Sequence, residues 1–193
     1  MSVNEKYLNV FKESHAILQG HFQLTSGLHS DHYMQCALVL QYPDKAEFLC
    51  GELAKMLNEF DVDCVVGPAL GGIVVAQVVG RALKKRAIFT ERVNNQMVLR
   101  RGFTIEKGEK ILVVEDVTTT GGSVKEVIET IGSLGGDVTG VGALVDRSGG
   151  KIDFGVPYKT LLSLKIQNYP ESDCPMCRDG LACTKPGSRT VVQ

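Results

Sequence analysis

The chain has 193 residues, of which 44% are hydrophobic and 22% are charged, so it can bury one sizeable core without disulfides or a metal. Its 21 basic and 22 acidic residues give a formal net charge of -1, which lacks the electrostatic footprint of a protein that binds nucleic acid or a membrane surface. No apolar run approaches the roughly 20 residues of a membrane span. The six cysteines are scattered, and a chain with this core does not need them paired, so we expect a cytoplasmic protein.

The spacing of apolar residues predicts helices and buried strands that alternate along the chain. The predicted helices cover residues 4–20, 44–60, 73–84 and 123–134. Short strands around a turn are expected in residues 21–36, and buried strands are predicted at 64–66, 87–90, 111–114, 138–145 and 160–166. Residues 91–110 form a polar stretch, and the tail after Tyr169 loses periodicity and is expected to be a surface extension.

This alternation, with connections of a few residues, predicts an α/β fold in which helices cover both faces of a parallel sheet. In such sheets ligands bind at the carboxyl ends of the strands. The loops that follow Val66, Thr90, Val114 and Val145 are therefore the candidate site loops.

The segment from Ile111 to Ser123 carries the strongest chemical signal. An apolar strand ends in the adjacent carboxylates Glu115 and Asp116, and a run of threonines and glycines then leads into a helix. Glycines and the first N–H groups of a helix make an anion site, whereas the carboxylates would repel a phosphate and suit sugar hydroxyls or a cation. The segment therefore predicts a site for a sugar phosphate.

Plainer interpretations of this segment explain less. A capped strand–turn–helix does not account for two carboxylates at the end of a buried strand. The spacing of a Walker P-loop is absent, and no strand leads into the glycine pattern of dinucleotide-binding folds.

The Val113–Ser123 segment closely resembles the motif with which type I phosphoribosyltransferases bind 5-phosphoribosyl-1-pyrophosphate (PRPP). Three more segments fall in the order and spacing of the orotate phosphoribosyltransferase family: Leu24-Thr-Ser-Gly-Leu-His-Ser30, Gly67-Pro-Ala-Leu-Gly-Gly-Ile73 and Leu144-Val-Asp-Arg-Ser148. The resemblance covers most of the chain. It implies a single domain over residues 1–193 with a type I phosphoribosyltransferase-like parallel sheet flanked by helices. A small hood would come mainly from residues 1–40, and a C-terminal extension would cover residues 169–193.

The resemblance also implies an activity, the transfer of ribose 5-phosphate from PRPP to N1 of orotate in de novo pyrimidine synthesis. Glu115 and Asp116 match the pair that binds the ribose hydroxyls, and Arg147 matches an arginine that meets the carboxylate of orotate, which a guanidinium can bind in a bidentate way. Further matches to PRPP-binding positions are Leu70, Gly71, Val117, Thr118, Thr119, Thr120, Gly121, Gly122 and Ser123. Further matches to orotate-binding positions are Tyr33, Met34 and, again, Thr119. An alternative for Arg147 is a solvated surface arginine.

The departing pyrophosphate requires cations, and Mg²⁺ is expected to arrive with PRPP because no dedicated protein cage for it is evident. Two positions that carry lysine in better-known bacterial members of the family are Thr25 and Gly71 here. The remaining candidates are Arg92, Arg100 and Arg101, which we predict to be catalytic on a lid that closes over the site, with Arg92 also binding PRPP. By resemblance the lid reaches the neighbouring subunit's site, which implies a homodimer. The alternative is a plain hairpin with solvated Arg100 and Arg101.

Two groups of possible metal ligands match no complete ligand set. The histidines of the first strands lie beside Asp31 and are expected to be hydrogen-bonded or surface side chains: His21, His29 and His32. The tail thiols can be half of a zinc site, a redox pair or unpaired thiols: Cys174, Cys177 and Cys183. No second C-x-x-C or C-x-x-H follows them, so no zinc site is predicted.

Two other functions remain open from the sequence. One is a PRPP-sensing regulator on the same fold, although such proteins usually carry a DNA-binding domain and no basic helix-turn-helix segment is evident here. The other is a transferase for a different base, as in purine salvage. Arg147 separates this second possibility from transfer to orotate, because a neutral purine gives an arginine no carboxylate partner.

Overall fold

The computed structural model describes residues 3–24 and 26–186. Thr25 and the last part of the expected C-terminal extension, residues 187–193, lie outside the described residues. In chain order the elements are α1 (Val3–Glu13), β1 (Ile17–Gln23), β2 (His29–Met34), α2 (Ala37–Leu40), α3 (Pro43–Leu57), β3 (Cys64–Pro68), α4 (Gly71–Leu83), β4 (Arg86–Val93), β5 (Gln96–Leu99), β6 (Lys110–Thr118), α5 (Gly122–Ser133), β7 (Asp137–Asp146), β8 (Tyr158–Ser163), β9 (Asn168–Tyr169) and α6 (Pro175–Arg178).

The main sheet has six strands in the order β5-β4-β3-β6-β7-β8. All neighbouring strands run parallel except β4 and β5, which form an antiparallel pair. The strand order confirms the predicted α/β sheet and places β6 between β3 and β7, near its middle. The carboxyl ends of these three strands therefore lie side by side at one edge.

Helices cover both faces of this sheet because side chains alternate along each strand. Leu112 and Val114 of β6 belong to the core formed with the first four helices. Ile111 and Val113 belong to the opposite core, in which Val127 of α5 is buried. Among the described residues, no helix is long and apolar enough to cross a membrane.

The structure corrects the predicted boundary of the first helix. α1 ends at Glu13, and residues 17 and 18 belong to β1 instead of the helix. His15 adopts a left-handed conformation with φ of 52°, which stops the helix before the chain turns into the strand. Ile17 and Leu18 continued the helical spacing by coincidence, and spacing alone does not show where a helix ends.

The polar stretch after Thr90 contains a tight hairpin. β4 continues to Val93 and pairs with β5, and the turn residues Asn94 and Asn95 have φ of 49° and 63°. Two successive positive φ values are typical of the two-residue turns that join antiparallel strands. The segment therefore has the shape of a hairpin, and its closure over the site as a lid stays a prediction.

A second, three-stranded sheet in the order β1-β2-β9 forms the hood. β9 comes from the tail and pairs with β2, and Thr184 bridges to Phe22 of β1. The tail also buries Cys174 and Met176. The hood therefore draws on segments far apart in the chain, and the described part of the tail pairs with it while most tail residues stay exposed, so the surface extension stays a prediction.

Candidate active site

Two carboxylates lie side by side at the end of β6. Glu115 is buried and its Oε1 accepts a hydrogen bond from the Asp116 backbone N–H at 3.1 Å. The Oδ1 of Asp116 accepts one from the Val117 N–H at 2.8 Å. Burial raises the pKa of Asp116, and the hydrogen bonds it accepts oppose that rise. The strand thus presents a desolvated, oriented pair of acids to its carboxyl edge.

The loop between β3 and α4 lies directly against these acids. A Cβ atom added to Gly71 would lie 2.2 Å from Oδ2 of Asp116, and one added to Gly72 would lie 3.3 Å from Oε1 of Glu115. Leu70, at the tip of the loop, is 72% exposed. The structure therefore brings the predicted residues Leu70 and Gly71 to the carboxylate pair. The absence of a side chain at Gly71 is what lets the loop approach so closely.

The loop between β6 and α5 exposes backbone beside the same edge. Thr119, Thr120 and Gly122 are exposed, and α5 begins at Gly122. Gly121 caps the helix with a φ of 77°, and a Cβ there would lie 2.8 Å from the ring of Phe154. A glycine is needed because this conformation and this contact both disfavour a side chain. The first N–H groups of α5 are thereby left at an accessible edge, where an anion can bind.

Thr118 is placed differently from its neighbours in the predicted phosphate loop. It is 2% exposed, and its hydroxyl lies 2.6 Å from the hydroxyl of Tyr158 and 3.4 Å from Oδ1 of Asp146. This side chain is already engaged inside the fold. The geometry supports a structural role for its hydroxyl more than the predicted contact with PRPP.

Arg147 follows β7 and is buried under the hood, with 8% of its surface exposed. Its backbone N–H donates to Thr118 O at 2.8 Å, and Nη2 donates to His32 O at 3.4 Å. The buried Nε has no hydrogen-bond partner among the described residues. Burial lowers the pKa of this guanidinium. The surface-arginine alternative is therefore wrong, and the side chain has donors to spare for a ligand.

The end of the hood lies close to both the arginine and the acids. Burial and the charge of Asp116 raise the pKa of Tyr33, whereas Arg147 lowers it. The thiol of Cys36 lies 3.8 Å from the backbone oxygen of Asp116. Met34 is buried in the main core, so its side chain faces away from any ligand and only its backbone is available.

The three predicted catalytic arginines are paired with carboxylates of the same chain. Arg92 forms an ion pair with Glu126 of α5. Arg101 Nε lies 2.5 Å from Oε1 of Glu91, and Arg100 Nη1 lies 3.9 Å from its Oε2. In this conformation none of the three is an unpaired cation, so their action on pyrophosphate stays a prediction that requires these pairs to open.

Asp146 is a site residue that the sequence analysis did not assign. Burial by itself would raise its pKa, but hydrogen bonds from Ser148, Gly150 and Ser163 outweigh burial and lower it. Two of these bonds come from the N–H groups of Ser148 at 2.8 Å and Gly150 at 3.2 Å. Asp146 thus fixes the turn that carries Arg147. The available signal was an aspartate at a strand end followed by serine and two glycines, which is typical of a side-chain-stabilised turn.

Comparisons with known proteins agree with this geometry. Residues 40–168 match the model of the phosphoribosyl transferase domain family. The chain is 55% identical to an orotate phosphoribosyltransferase of Caldanaerobacter subterraneus over 97% of this chain and 98% of the relative. It is 51% identical to that of Thermotoga maritima over 93% and 96% of the two chains. The solved orotate phosphoribosyltransferase of Aeropyrum pernix is similar with a TM-score of 0.65 and 28% identity, over 81% of this chain and 93% of that one.

Proposed function

The chain belongs to the phosphoribosyl transferase family and, within it, to the orotate phosphoribosyltransferases. From this membership and the geometry of the site, we propose which residue performs each role in the reaction. Ribose 5-phosphate passes from PRPP to N1 of orotate, giving orotidine 5′-monophosphate and pyrophosphate for pyrimidine synthesis. The observation that carries the assignment of the base is the buried guanidinium of Arg147, whose Nε finds no hydrogen-bond partner within residues 3–24 and 26–186. A carboxylate satisfies such a cation, and orotate has one whereas purines and uracil do not.

The sugar phosphate occupies the edge formed by β3, β6 and α5. Glu115 and Asp116 accept hydrogen bonds from the ribose hydroxyls, and the backbone of the Thr119–Ser123 turn binds the 5′-phosphate. The pyrophosphate lies over Leu70 and Gly71, whose loop touches Asp116. In this arrangement the phosphates contact backbone N–H groups and the carboxylates contact ribose hydroxyls. Negatively charged groups of the substrate and the protein therefore do not face each other.

Magnesium fits this edge as a partner of PRPP. The oxygens of Glu115 and Asp116 are the kind of ligand that Mg²⁺ prefers, and they lie beside the pyrophosphate loop. When bound, the ion neutralises charge on the departing pyrophosphate. Two adjacent carboxylates are too few to hold the ion by themselves, so Mg²⁺ would arrive with PRPP.

Catalysis in this site rests on positioning and charge. The bond from C1′ to pyrophosphate breaks largely before the bond to N1 forms, which leaves positive charge on the ribose ring. The acids on its hydroxyls hold the ring in place, and Arg147 orients the base beneath the hood. The charge of orotate lies on its carboxylate, so the proton on N1 leaves as the bond to C1′ forms and passes to the departing pyrophosphate or to water.

The hairpin β4–β5 supplies the cations for pyrophosphate in this proposal. Its arginines exchange the carboxylates of Glu91 and Glu126 for pyrophosphate when the hairpin moves. The side chains of Arg100 and Arg101 are more than half exposed, so solvent screens their ion pairs with Glu91. By family resemblance the hairpin serves the site of a second subunit, which makes a homodimer the working unit. Sedimentation equilibrium and subunit mixing of two complementary inactive variants test this.

One assay tests the proposed reaction. Loss of orotate absorbance is followed with PRPP and Mg²⁺, beside parallel reactions with adenine, hypoxanthine and uracil. We expect rapid turnover with orotate and little turnover with the other three bases. Preferred use of a purine would overturn the assignment and favour a salvage transferase, and PRPP binding without turnover of any base would favour a PRPP-sensing regulator. The expected cytoplasmic location stays a prediction, checked by fractionation of cells.

A further inference from the structure

Outside the active site, the hood and the tail bring four metal-binding side chains together. His21 lies on β1, His29 on β2, and Cys174 and Cys177 lie at the start of and within α6. One ligand atom of each residue falls within 4.8 Å of the others. In the sequence the histidines and the thiols look unrelated, because no second ligand pair follows Cys174 and Cys177. The second pair comes instead from the other end of the chain, 153 residues from Cys174 to His21.

The distances are close to those of a tetrahedral zinc site. Zinc binds sulfur at about 2.3 Å and imidazole nitrogen at about 2.0–2.1 Å, so neighbouring ligand atoms lie about 3.3–3.8 Å apart. Cys174 Sγ and Cys177 Sγ lie 3.6 and 3.7 Å from Nε2 of His21, and Cys177 Sγ lies 3.3 Å from Nδ1 of His29. The two ring nitrogens are 2.8 Å apart and need only a small separation to admit an ion.

The second nitrogen of His21 fixes which atom faces the thiols. Its Nδ1 lies 2.8 Å from the backbone oxygen of Leu181. Because a carbonyl oxygen only accepts, Nδ1 carries the proton, and the lone pair of a neutral His21 is left on Nε2, which points into the cluster. Metal-binding histidines are commonly oriented by such a bond from their other nitrogen.

Burial and charge also fit a structural ion. His21, His29 and Cys174 are buried, and Cys177 is half-buried. Two thiolates and two neutral imidazoles around Zn²⁺ make a neutral group, which removes the cost of burying an uncompensated charge. With four protein ligands no position remains for a substrate, so the site belongs to the structural class.

We propose that His21, His29, Cys174 and Cys177 form a structural Zn²⁺ site that fastens the C-terminal segment to the hood. The ion joins segments that otherwise meet through backbone contacts, such as those of Thr184 with His21 and Gln23. β2 continues from His29 to Tyr33, beside the proposed orotate site. The ion thus stabilises the part of the fold that covers the base, at a distance from the reacting atoms.

Metal content and spectroscopy test the site on the full chain purified without a histidine tag and under reducing conditions. We expect about one zinc per chain after dialysis against metal-free buffer. Replacement by Co²⁺ should give intense visible bands of a tetrahedral ion and thiolate charge-transfer bands. X-ray absorption at the zinc edge should show two sulfur and two nitrogen ligands. These three measurements use the unaltered chain, so they do not depend on the folding of any variant.

A matched pair of variants locates the ion. Cys174→Ser with Cys177→Ser should lose the zinc and the cobalt spectrum, whereas Cys183→Ser, an exposed thiol of the same tail, should keep both. A strong chelator should lower the Tm of the wild type by several degrees and leave that of the double variant unchanged. Sub-stoichiometric zinc after reconstitution, a six-coordinate cobalt spectrum, or equal binding by the double variant would overturn the proposal.

Discussion

Replacing Arg147 by alanine separates a substrate-binding role from a structural one. The guanidinium is buried and donates at 3.4 Å to a hood carbonyl, and its Nε has no hydrogen-bond partner in the part of the chain that the structure describes. If the carboxylate of orotate is its partner, the substitution removes a desolvated charge pair from the complex but no ion pair from the free protein. We therefore expect a large kinetic defect and a small change in stability.

The burial of Arg147 sets the size of the kinetic defect. Truncating one partner of a buried, hydrogen-bonded charge pair costs about 2–5 kcal/mol. Only 8% of Arg147 is exposed, which places it in the upper part of that range, about 3–5 kcal/mol. The value of kcat/KM for orotate should fall about 150-fold to about 4,000-fold. Lost packing and the relief of an unpaired buried cation oppose each other, so the free energy of unfolding should change by about 1 kcal/mol or less.

The assay measures kcat/KM for orotate and for uracil in the wild type and three variants. Arg147→Ala should lose most of the preference for orotate while its low activity with uracil persists. Arg147→Lys keeps the positive charge but lacks the planar guanidinium. Its kcat/KM for orotate should lie between the values of the wild type and Arg147→Ala. Arg81→Ala removes an arginine whose side chain is 77% exposed and should match the wild type. An equal loss of kcat/KM with orotate and with uracil in Arg147→Ala, which leaves the ratio of the two values unchanged, would refute the role of this residue.

Three further perturbations test other parts of the site. Gly71→Ala places a Cβ 2.2 Å from the Asp116 carboxylate and should raise KM for PRPP at least tenfold with Tm nearly unchanged; an unaltered KM would contradict the placement of the pyrophosphate loop. Arg100→Ala with Arg101→Ala should depress kcat more than orotate affinity in steady-state assays at saturating PRPP and Mg²⁺, and normal turnover would remove the cationic hairpin from the mechanism. Asp146→Asn weakens the turn under Arg147. Because the folded-state pKa of Asp146 is lowered, its stabilisation is present above the ordinary aspartate pKa and is lost as pH falls through the lowered value. The free energy of unfolding of the wild type, measured in urea, should therefore fall in that acid range. An equal fall in Asp146→Asn would contradict this role of Asp146.

The parts of the site that are local in sequence could be predicted, and those that depend on distant pairing could not. Glu115 and Asp116 follow a continuous apolar strand, so their place at a sheet edge follows from the pattern alone. The engagement of Thr118 with Tyr158 depends on how β8 packs, which no local pattern contains.

The charged residues show the same limit. Arg92 looked available for a phosphate because its partner, Glu126, lies on a different element. Likewise, the spacing of the tail cysteines was visible, whereas their proximity to His21 and His29 follows only from the pairing of β9 with the hood. Periodicity identifies elements, and the contacts between elements decide which side chains remain unpaired.

The hood sheet has a consequence for how the protein is made. Its strands lie far apart in the chain, since β2 pairs with β9 and Phe22 with Thr184. The main sheet is complete once Ser163 has left the ribosome. Closing so long a loop costs only logarithmically more free energy than closing a short one, but such non-local pairings form slowly. The edge that carries Glu115 and Asp116 can therefore assemble before the cover over Arg147, which requires the later strand β9.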